Sequence, residues 1–273
     1  MSLRRKIAIA TWGSPREGNI YGKVVVDARP ALEYVQKLRE THGEHVTLTH
    51  LVTRALALTL KEPIDLNGYI SFGQFIAHKT VDLSVVVAMN GGKNLSMVKL
   101  KKVDELSVLE IARQLNQRVS EVRSGKDKDV KQSMSTAKWV PWFLLKPLLS
   151  LVGWLSGSLG WSIPAFGLKA FPFGAGIITN VGVFGVDEAF VPPTPFARIP
   201  LYLLVGAIRE AAYVDEGEVK ARKEITLTAT LDHRFVDGAQ AAVLAQKLRE
   251  AFAHPERIDL EPSTHDHSTS KDD

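Results

Sequence analysis

Cysteine is absent from this chain of 273 residues, which excludes a disulfide scaffold, a thiol nucleophile and a metal site with cysteine ligands. Aromatic residues make up only 8% of the chain and hydrophobic residues 45%, a composition typical of globular proteins. Net charge is also low, at +4, and the basic residues are scattered. Because a nucleic-acid-binding surface requires a concentrated basic stripe, we expect no nucleic-acid partner.

Neither end of the sequence carries a long apolar run. The first residues, MSLRRKIAIATWGSPREG, contain a basic pair and an apolar run of only about five residues, too short for the core of a secretory signal peptide. We therefore expect a cytoplasmic protein. The last residues, EPSTHDHSTSKDD, are polar, and such segments cannot bury enough apolar surface to fold. The sequence thus predicts a disordered tail over residues 261–273.

The spacing of apolar residues predicts two helices in the first part of the chain. KVVVDARPALEYVQKLRETHG indicates a strand and then a helix that begins near Pro30 and ends at Gly43. HVTLTHLVTRALALTLKEP predicts a second helix that begins at Thr47 or Thr49 and ends at Pro63.

Strands and helices are mixed in the remainder. YISFGQFIAHKTVDLSVVVAMNGG predicts one or two strands, and LSVLEIARQLNQRVSEVRSG predicts a helix with Asp104 as its N-cap and Gly125 after its end. GIITN, YLLVGAIRE and KEITLTATL predict further strands. Because the elements do not alternate strictly, we expect an α/β (α+β) two-layer sandwich with a mixed β-sheet.

One segment differs in composition from the rest. WVPWFLLKPLLSLVGWLSGSLGWSIPAFGL contains four of the five tryptophans, and residues 147–168 carry no charge. The spacing of its apolar residues predicts one face of a helix, and we expect helices bounded by Pro141, Pro147 and Pro164 that pack away from the core of the fold. The apolar positions are Leu144, Leu145, Leu148, Leu151, Val152 and Leu155.

The partner of this tryptophan-rich segment is open. The uncharged run is long enough to raise a membrane-spanning helix as one alternative, although glycines and prolines interrupt it. A second alternative is contact with a membrane surface through residues 139–168, which would make the protein membrane-associated. The third is a protein interface.

A potential base stands at a strand-to-helix corner. In LTATLDHRFVDGAQAAVLAQKL, the alternating strand ends at His233, and an alanine-rich helix follows Asp237 and Gly238. A histidine in this position can act as a general base. Asp237 can fix its tautomer or anchor the loop, and Gly238 permits a tight turn. The alternative is an ordinary strand-to-helix turn with an incidental histidine.

This corner resembles the His-x-x-x-Asp-Gly active-site segment of the dihydrolipoamide acyltransferases. These are the core subunits of 2-oxo-acid dehydrogenase complexes, and their fold is shared by chloramphenicol acetyltransferase. RRKIAIATWGSPREGNIYGKVVVDA, LTHLVTRALALTLKEPIDLNGYI, HKTVDLSVVVA and GIITNVGVFGVDEAF are similar to further family segments in the same order. The resemblance implies a catalytic domain over residues 1–260, with an extra helical insertion over residues 136–170.

The resemblance also implies roles for individual residues. His233 would take the proton from the thiol of CoA or of dihydrolipoamide, and Thr179 would stabilise the oxyanion of the tetrahedral intermediate. Asp237 would hold the histidine loop through an ion pair, with Arg16 as a candidate partner. Gly238 and Arg16 would thus shape the loop. The candidates for the substrate channel are Ser14, Asn180 and Lys101.

Cofactors and partners follow from the same resemblance. CoA would be a substrate, and the chemistry needs no metal and no lipoyl group attached to this chain. The family forms its active site between subunits of a trimer, so we expect a homotrimer in which His233 faces Thr179 of the neighbour. A larger cage is an open alternative, and a lipoyl-bearing partner chain would supply the carrier.

Two departures from the family keep other functions open. The sequence begins at the catalytic segment, which predicts a stand-alone form without lipoyl or subunit-binding domains. KNLSMVKLKK replaces the segment that lies near the substrate channel in the family. The alternative hypotheses are a non-catalytic trimeric assembly protein and an acyltransferase that acts on a hydroxyl acceptor.

Overall fold

The computed structural model describes residues 18–62, 65–89, 94–123, 141–162 and 169–259. The strands are β1 (Asn19–Asp27), β2 (Gly68–Ser71), β3 (Gln74–Ala77), β4 (Leu83–Met89), β5 (Asn94–Leu100), β6 (Gly176–Asn180), β7 (Leu201–Asp215) and β8 (Glu218–Asp232). The helices are α1 (Arg29–His42), α2 (Leu48–Thr59), α3 (Val108–Arg123), α4 (Trp142–Gly153), α5 (Gly238–Ala253) and α6 (Pro255–Ile258).

Six strands form one mixed sheet in the order β1-β8-β7-β6-β4-β5. Strand β6 runs parallel to β4 and β7, and the other neighbouring pairs are antiparallel. Strands β2 and β3 form a separate hairpin. The predicted α/β class with a mixed sheet is therefore confirmed, but the stretch that includes β2 to β4 contains three strands rather than one or two.

The sheet has apolar residues on both faces. On one face Ile178 joins the main core with the helix residues Leu51, Leu109 and Leu248. On the other face Ile177 belongs to a smaller cluster that contains Tyr202 and residues of the loop before β7. Because successive strand residues point to opposite faces, Asn180 lies on the helix side of β6, and Thr179 lies on the other side.

Two predicted helix ends are confirmed. Gly43 follows α1 with φ 67°, in the left-handed region that glycine adopts at low cost. Thr47 caps α2 in a reciprocal pair with His50. The predicted ends at Pro63 and Gly125 lie outside the described residues.

The predicted N-cap of α3 is wrong. Asp104 lies in a short 3-10 turn, Val103–Glu105, and Ser107 caps the helix instead. The Glu110 amide donates to Ser107 Oγ (3.2 Å), and the Ser107 amide donates to the Glu110 carboxylate (2.8 Å). This reciprocal capping box satisfies two amides at once, which Asp104 could not do from one turn earlier.

The tryptophan-rich segment departs from its prediction in two ways. Pro141 caps α4 as expected, but Pro147 lies inside the helix, where it removes a single amide on the exposed side. The six apolar residues do not form one face: Leu145 is buried, whereas Leu144, Leu148 and Leu151 are exposed. Among the described residues, Leu145 belongs to neither apolar cluster of the sheet, so packing of the segment away from the core stays a prediction.

Helix α4 continues into a π-helical turn, Trp154–Ser158. Gly153 lies against the loop before β7, since a Cβ at this position would be 2.3 Å from the Phe196 carbonyl oxygen. No helix in the described part of the chain is long and apolar enough to cross a membrane. Pro164 lies outside the described residues.

Candidate active site

The histidine corner follows directly from the end of β8. The strand pairs with β1 and β7 as far as Asp232 and Leu231, and the next amide, of His233, donates to the Gly18 carbonyl (3.1 Å). The Phe235 amide then donates to the Asp232 carbonyl (3.0 Å), which closes a tight turn. His233 is exposed at this turn, so its ring is accessible to a partner molecule.

One hydrogen bond defines the tautomer of His233. Its Nδ1 lies 2.7 Å from the Val236 carbonyl oxygen. A carbonyl can only accept a hydrogen bond, so Nδ1 carries the proton, and in the neutral ring Nε2 has a free lone pair. The ring is therefore oriented as a general base requires, and a backbone carbonyl rather than Asp237 provides the orientation.

Asp237 is the N-cap of α5. Its carboxylate accepts from the amides of Ala239 (2.9 Å) and Gln240 (3.3 Å), and the Gln240 side chain accepts from the Asp237 amide (2.9 Å). The carboxylate thus anchors the loop through the helix end. Arg16, the predicted ion-pair partner, lies outside the described residues.

Gly238 is the first residue of α5. A Cβ at this position would meet nothing within 4 Å, so within the described residues no close contact requires a glycine there. The predicted need for a tight glycine turn is therefore not seen in the backbone.

Neighbouring residues fix the loop on both sides of His233. Asp232 forms an ion pair with Arg234. Phe235 is buried, and its ring contacts Phe75 of the β2–β3 hairpin edge-on, with 6.2 Å between the ring centroids. The hairpin therefore packs directly on the histidine loop.

Thr179 and His233 are far apart within one chain. Thr179 pairs with Leu204, and Leu204 pairs with Thr228. Thr228 is therefore two strand spacings of about 4.8 Å from Thr179 across the sheet. His233 follows Thr228 by five residues, which adds roughly 16 Å along the strand at about 3.3 Å per residue. The two side chains of one chain therefore cannot contact the same reacting atom.

Asn180 borders a large cavity on the helix side of the sheet. The cavity has a volume of about 1620 Å³ and is lined by residues of α1, the start of α2, α3 and the ends of β4 and β6. Asn180 Nδ2 donates to Thr49 Oγ1 (2.9 Å). Its Oδ1 is buried and has no partner within the described part of the chain. Thr179, on the opposite face, is not among the lining residues.

His50 also lines this cavity, and it was not among the residues predicted for the site. Its Nδ1 accepts from the Thr47 amide (3.1 Å), so the proton of the neutral ring is on Nε2. Burial lowers the pKa of His50 to about 4. The ring is thus a neutral donor near pH 7, and the only signal for it in the sequence is the Thr-x-x-His spacing of the helix cap.

Lys101 is a further residue predicted for the substrate channel. Lys101 is exposed in the turn after β5 and does not line the cavity. Its neighbour Lys99 pairs with Asp82 (3.0 Å) and donates to the Phe171 carbonyl (2.7 Å). Ser14 lies outside the described residues.

Residues 3–137 and 173–260 match the model of the 2-oxoacid dehydrogenases acyltransferase (catalytic domain) family. The chain belongs to this family. The match covers β1 to α3 and then β6 to α6, including the histidine corner, and it omits residues 138–172. The unmatched residues include α4.

Curated relatives are longer than this chain. The acetyltransferase component of the acetoin cleaving system of Bacillus subtilis is 24% identical over 81% of this chain and 45% of its own length. The succinyltransferase component of the 2-oxoglutarate dehydrogenase complex of Bartonella vinsonii is 23% identical over 84% of this chain and 45% of its own length. The chain therefore spans about half the length of these relatives.

Solved structures share the fold. The cubic core of the pyruvate dehydrogenase multienzyme complex superposes with a TM-score of 0.65 at 18% identity, over 94% of this chain and 87% of the other. The dihydrolipoamide acetyltransferase of Azotobacter vinelandii, studied for the catalytic roles of a serine, a histidine and an asparagine, gives 0.65 at 19% identity over the same shares.

Proposed function

We propose that this protein transfers an acyl group between CoA and the thiol of a dihydrolipoyl-type carrier. The observation that carries the proposal is the hydrogen bond from His233 Nδ1 to the Val236 carbonyl, because it leaves Nε2 free at an exposed strand end. Membership of the acyltransferase family supports the same reaction. The acyl group is open, since the relatives include acetyl and succinyl transferases.

The reaction follows from the free lone pair of His233. Nε2 removes the proton from the acceptor thiol, and the resulting thiolate attacks the carbonyl carbon of the thioester. The tetrahedral intermediate then collapses, the carbon–sulfur bond of the donor breaks, and the departing thiolate takes the proton back from Nε2. The Val236 carbonyl stabilises the transient imidazolium by accepting from Nδ1.

The oxyanion requires a donor from outside the chain that supplies His233. We assign this role to the Thr179 hydroxyl of a neighbouring copy, because within one chain the two residues lie at distant points of the sheet. Such a donor lowers the activation barrier by about 3 kcal/mol. A homotrimer with active sites between subunits satisfies this requirement, and the cubic core with the same fold supports a larger cage as an extension.

The spacing of residues in a structural neighbour supports these assignments. In the Azotobacter vinelandii enzyme the histidine and the asparagine under study are four residues apart, and the serine precedes the histidine by fifty-two. Here His233 and Asp237 are also four residues apart, and Thr179 precedes His233 by fifty-four. A serine or threonine, a histidine, and an asparagine or aspartate thus occur in the same order in both chains.

The test is a thiol–thioester exchange assay with acyl-CoA donors and dihydrolipoamide. His233→Ala should lose roughly 10²–10⁴-fold in rate, because a general base acts in the transition state. His42→Ala, which changes an exposed histidine at the end of α1, is the matched control and should keep the wild-type rate.

Three outcomes would contradict the proposal. A His233→Ala rate within about tenfold of wild type would remove the base from the mechanism. Transfer to an alcohol but not to dihydrolipoamide would indicate a hydroxyl acceptor. A wild-type protein that neither binds CoA nor transfers an acyl group would favour the alternative of a non-catalytic assembly protein.

A further inference from the structure

Helix α4 presents a second apolar face to solvent after its first face has been buried. On the inner side Leu145 is only 2% exposed, and Gly153 touches the loop before β7. On the outer side Phe143 is 61% and Leu151 is 51% exposed. Packing on the protein therefore accounts for one side of this helix and leaves the other unexplained.

The outer side is continuous and lacks polar residues. At about 100° per residue, five side chains fall within an arc of roughly 140° around the helix axis. These five side chains and Trp154 are called the outer face. Lys146 and Ser150 lie at the edge of the arc, and both are exposed. The arc residues are Phe143, Leu144, Pro147, Leu148 and Leu151.

The β2–β3 hairpin extends the outer face. The Phe72 ring contacts Trp154 edge-on at 6.4 Å and is still 84% exposed. Phe72 has φ 48°, a left-handed conformation that is unfavourable for residues other than glycine, asparagine and aspartate. The two-residue hairpin turn at Phe72 and Gly73 requires positive φ at both residues, and apart from the contact with Trp154 the Phe72 ring is open to solvent.

Charge identifies the kind of partner. Residues 125–170 contain six lysines (126, 128, 131, 138, 146 and 169) and two aspartates (127 and 129), a net charge of +4 that equals that of the whole chain. The remaining residues carry twenty-eight basic and twenty-eight acidic side chains. The excess positive charge therefore lies in the same segment as the outer face.

We propose that the outer face of α4 binds the surface of an anionic lipid bilayer. Leucine, phenylalanine and tryptophan enter the boundary between headgroups and acyl chains, and the exposed Lys146, with the positive charge of the same sequence segment, attracts anionic headgroups. The helix lies in the plane of the membrane, with its inner side still packed on the protein. The positive charge of this segment favours an anionic bilayer surface as the partner.

The experiment is co-sedimentation of the full chain with vesicles of phosphatidylcholine alone or mixed with phosphatidylglycerol. The wild-type protein should bind the anionic vesicles, and added salt should weaken the binding. The double variant Leu148→Glu with Leu151→Glu should bind at least about tenfold more weakly, because it loses two leucine side chains that the bilayer would bury. Lys146→Glu should weaken binding to anionic vesicles without affecting the apolar contact.

The matched control is Val214→Glu with Val219→Glu. These valines pair with each other at the end of the β7–β8 hairpin and are also highly exposed, at 71% and 75%, so the control should bind like wild type. Circular dichroism and the thiol–thioester exchange assay confirm that each variant is folded and separate this proposal from the proposed function.

Several results would overturn the proposal. The wild-type protein could fail to bind anionic vesicles, or the Leu148→Glu with Leu151→Glu variant could bind as well as the wild-type protein. The valine control could also lose as much binding as the leucine variant. A smaller assembly of the leucine variant in the absence of lipid would show that the outer face is an interface between protein subunits instead.

Discussion

At the scale of single residues, the properties of His233 come from one backbone contact. The Val236 carbonyl three residues later fixes the tautomer, so no second ionisable side chain is needed to orient the base. The same principle applies to His50, where the Thr47 amide occupies Nδ1 and leaves the proton on Nε2. Two histidines on different elements thus have opposite tautomers and different hydrogen-bonding capacities.

We expect Thr179→Ala to lower the turnover rate by roughly 10²–10³-fold with little change in the apparent affinity for CoA. The physical reason is that a hydroxyl directed at a developing oxyanion acts mainly in the transition state. Thr179→Ser keeps the hydroxyl and should retain nearly full activity. Steady-state kinetics of both variants provide the measurement, and equal losses in the serine and alanine variants would show that the hydroxyl is not the operative group.

We expect His50 to make the protein less stable as the pH falls from about 6.5 to about 4. Burial lowers the pKa of His50 from 6.5 to about 4, so within this window the unfolded state binds the proton and the folded state does not. Stability is therefore unaffected by this group above pH 6.5, falls through the window by up to about 3 kcal/mol, and levels off below pH 4.

His50→Asn should flatten that dependence, since asparagine can still accept from the Thr47 amide but does not titrate. Chemical denaturation at several pH values provides the measurement. His78 contributes in the same direction, because burial also lowers its pKa to about 4. The double variant His50→Asn with His78→Asn should therefore show a still weaker dependence of stability on pH. An unchanged slope in His50→Asn would show that His50 is already hydrated in the native state.

At the scale of secondary-structure elements, the histidine loop is held at both ends. The β8 ladder fixes its first residue, and the cap of α5 fixes its last. The Phe75–Phe235 contact adds the β2–β3 hairpin as a support from the side. The hairpin connects the loop to α4 through the Phe72–Trp154 contact, so the outer face and the candidate base lie on adjoining elements.

We expect Asp237→Ala to lower the free energy of unfolding by about 1 kcal/mol and to reduce activity as well. Both effects follow from the loss of the N-cap of α5, which accepts from two backbone amides. Asp237→Asn keeps a capping oxygen and should be close to wild type in denaturation and exchange assays. If asparagine costs as much as alanine, the charge matters, and the ion pair predicted with Arg16 gains support.

At the scale of the whole molecule, the proposed function requires a second copy to complete the candidate site. We expect a mixture of His233→Ala and Thr179→Ala proteins, each inactive alone, to recover roughly one quarter of the wild-type activity after dissociation and reassembly. In a closed ring of identical contacts, a site is intact only when its histidine comes from the Thr179→Ala protein and its threonine from the His233→Ala protein. Random reassembly of equal amounts gives this combination in about one site of four. The measurement is the exchange rate before and after reassembly.

The control for this experiment is reassembly of His233→Ala with the double variant His233→Ala and Thr179→Ala, which contains no intact histidine. It should stay inactive. If neither mixture recovers activity although light scattering shows that trimers have formed, the two residues do not act across a subunit contact.

The sequence alone determined those features that depend on local patterns. The alternation in LTATL, the apolar spacing of α1, α2 and α5 and the Gly43 helix end are set by residues within a few positions of each other. The histidine motif is also a local feature, because His233 and Asp237 are four residues apart in the single loop between β8 and α5. These features, with the order of the similar segments, were enough to predict the fold class and the family.

Only the tertiary structure decided what depends on pairing and packing between distant residues. The register of β6, β7 and β8 separates Thr179 from His233, and pleating places Asn180 on the opposite face. Packing of Leu145 and Gly153 divides the apolar residues of α4 into an inner and an outer side. The helical spacing is the same for both sides, so the periodicity could not distinguish the side that contacts the protein.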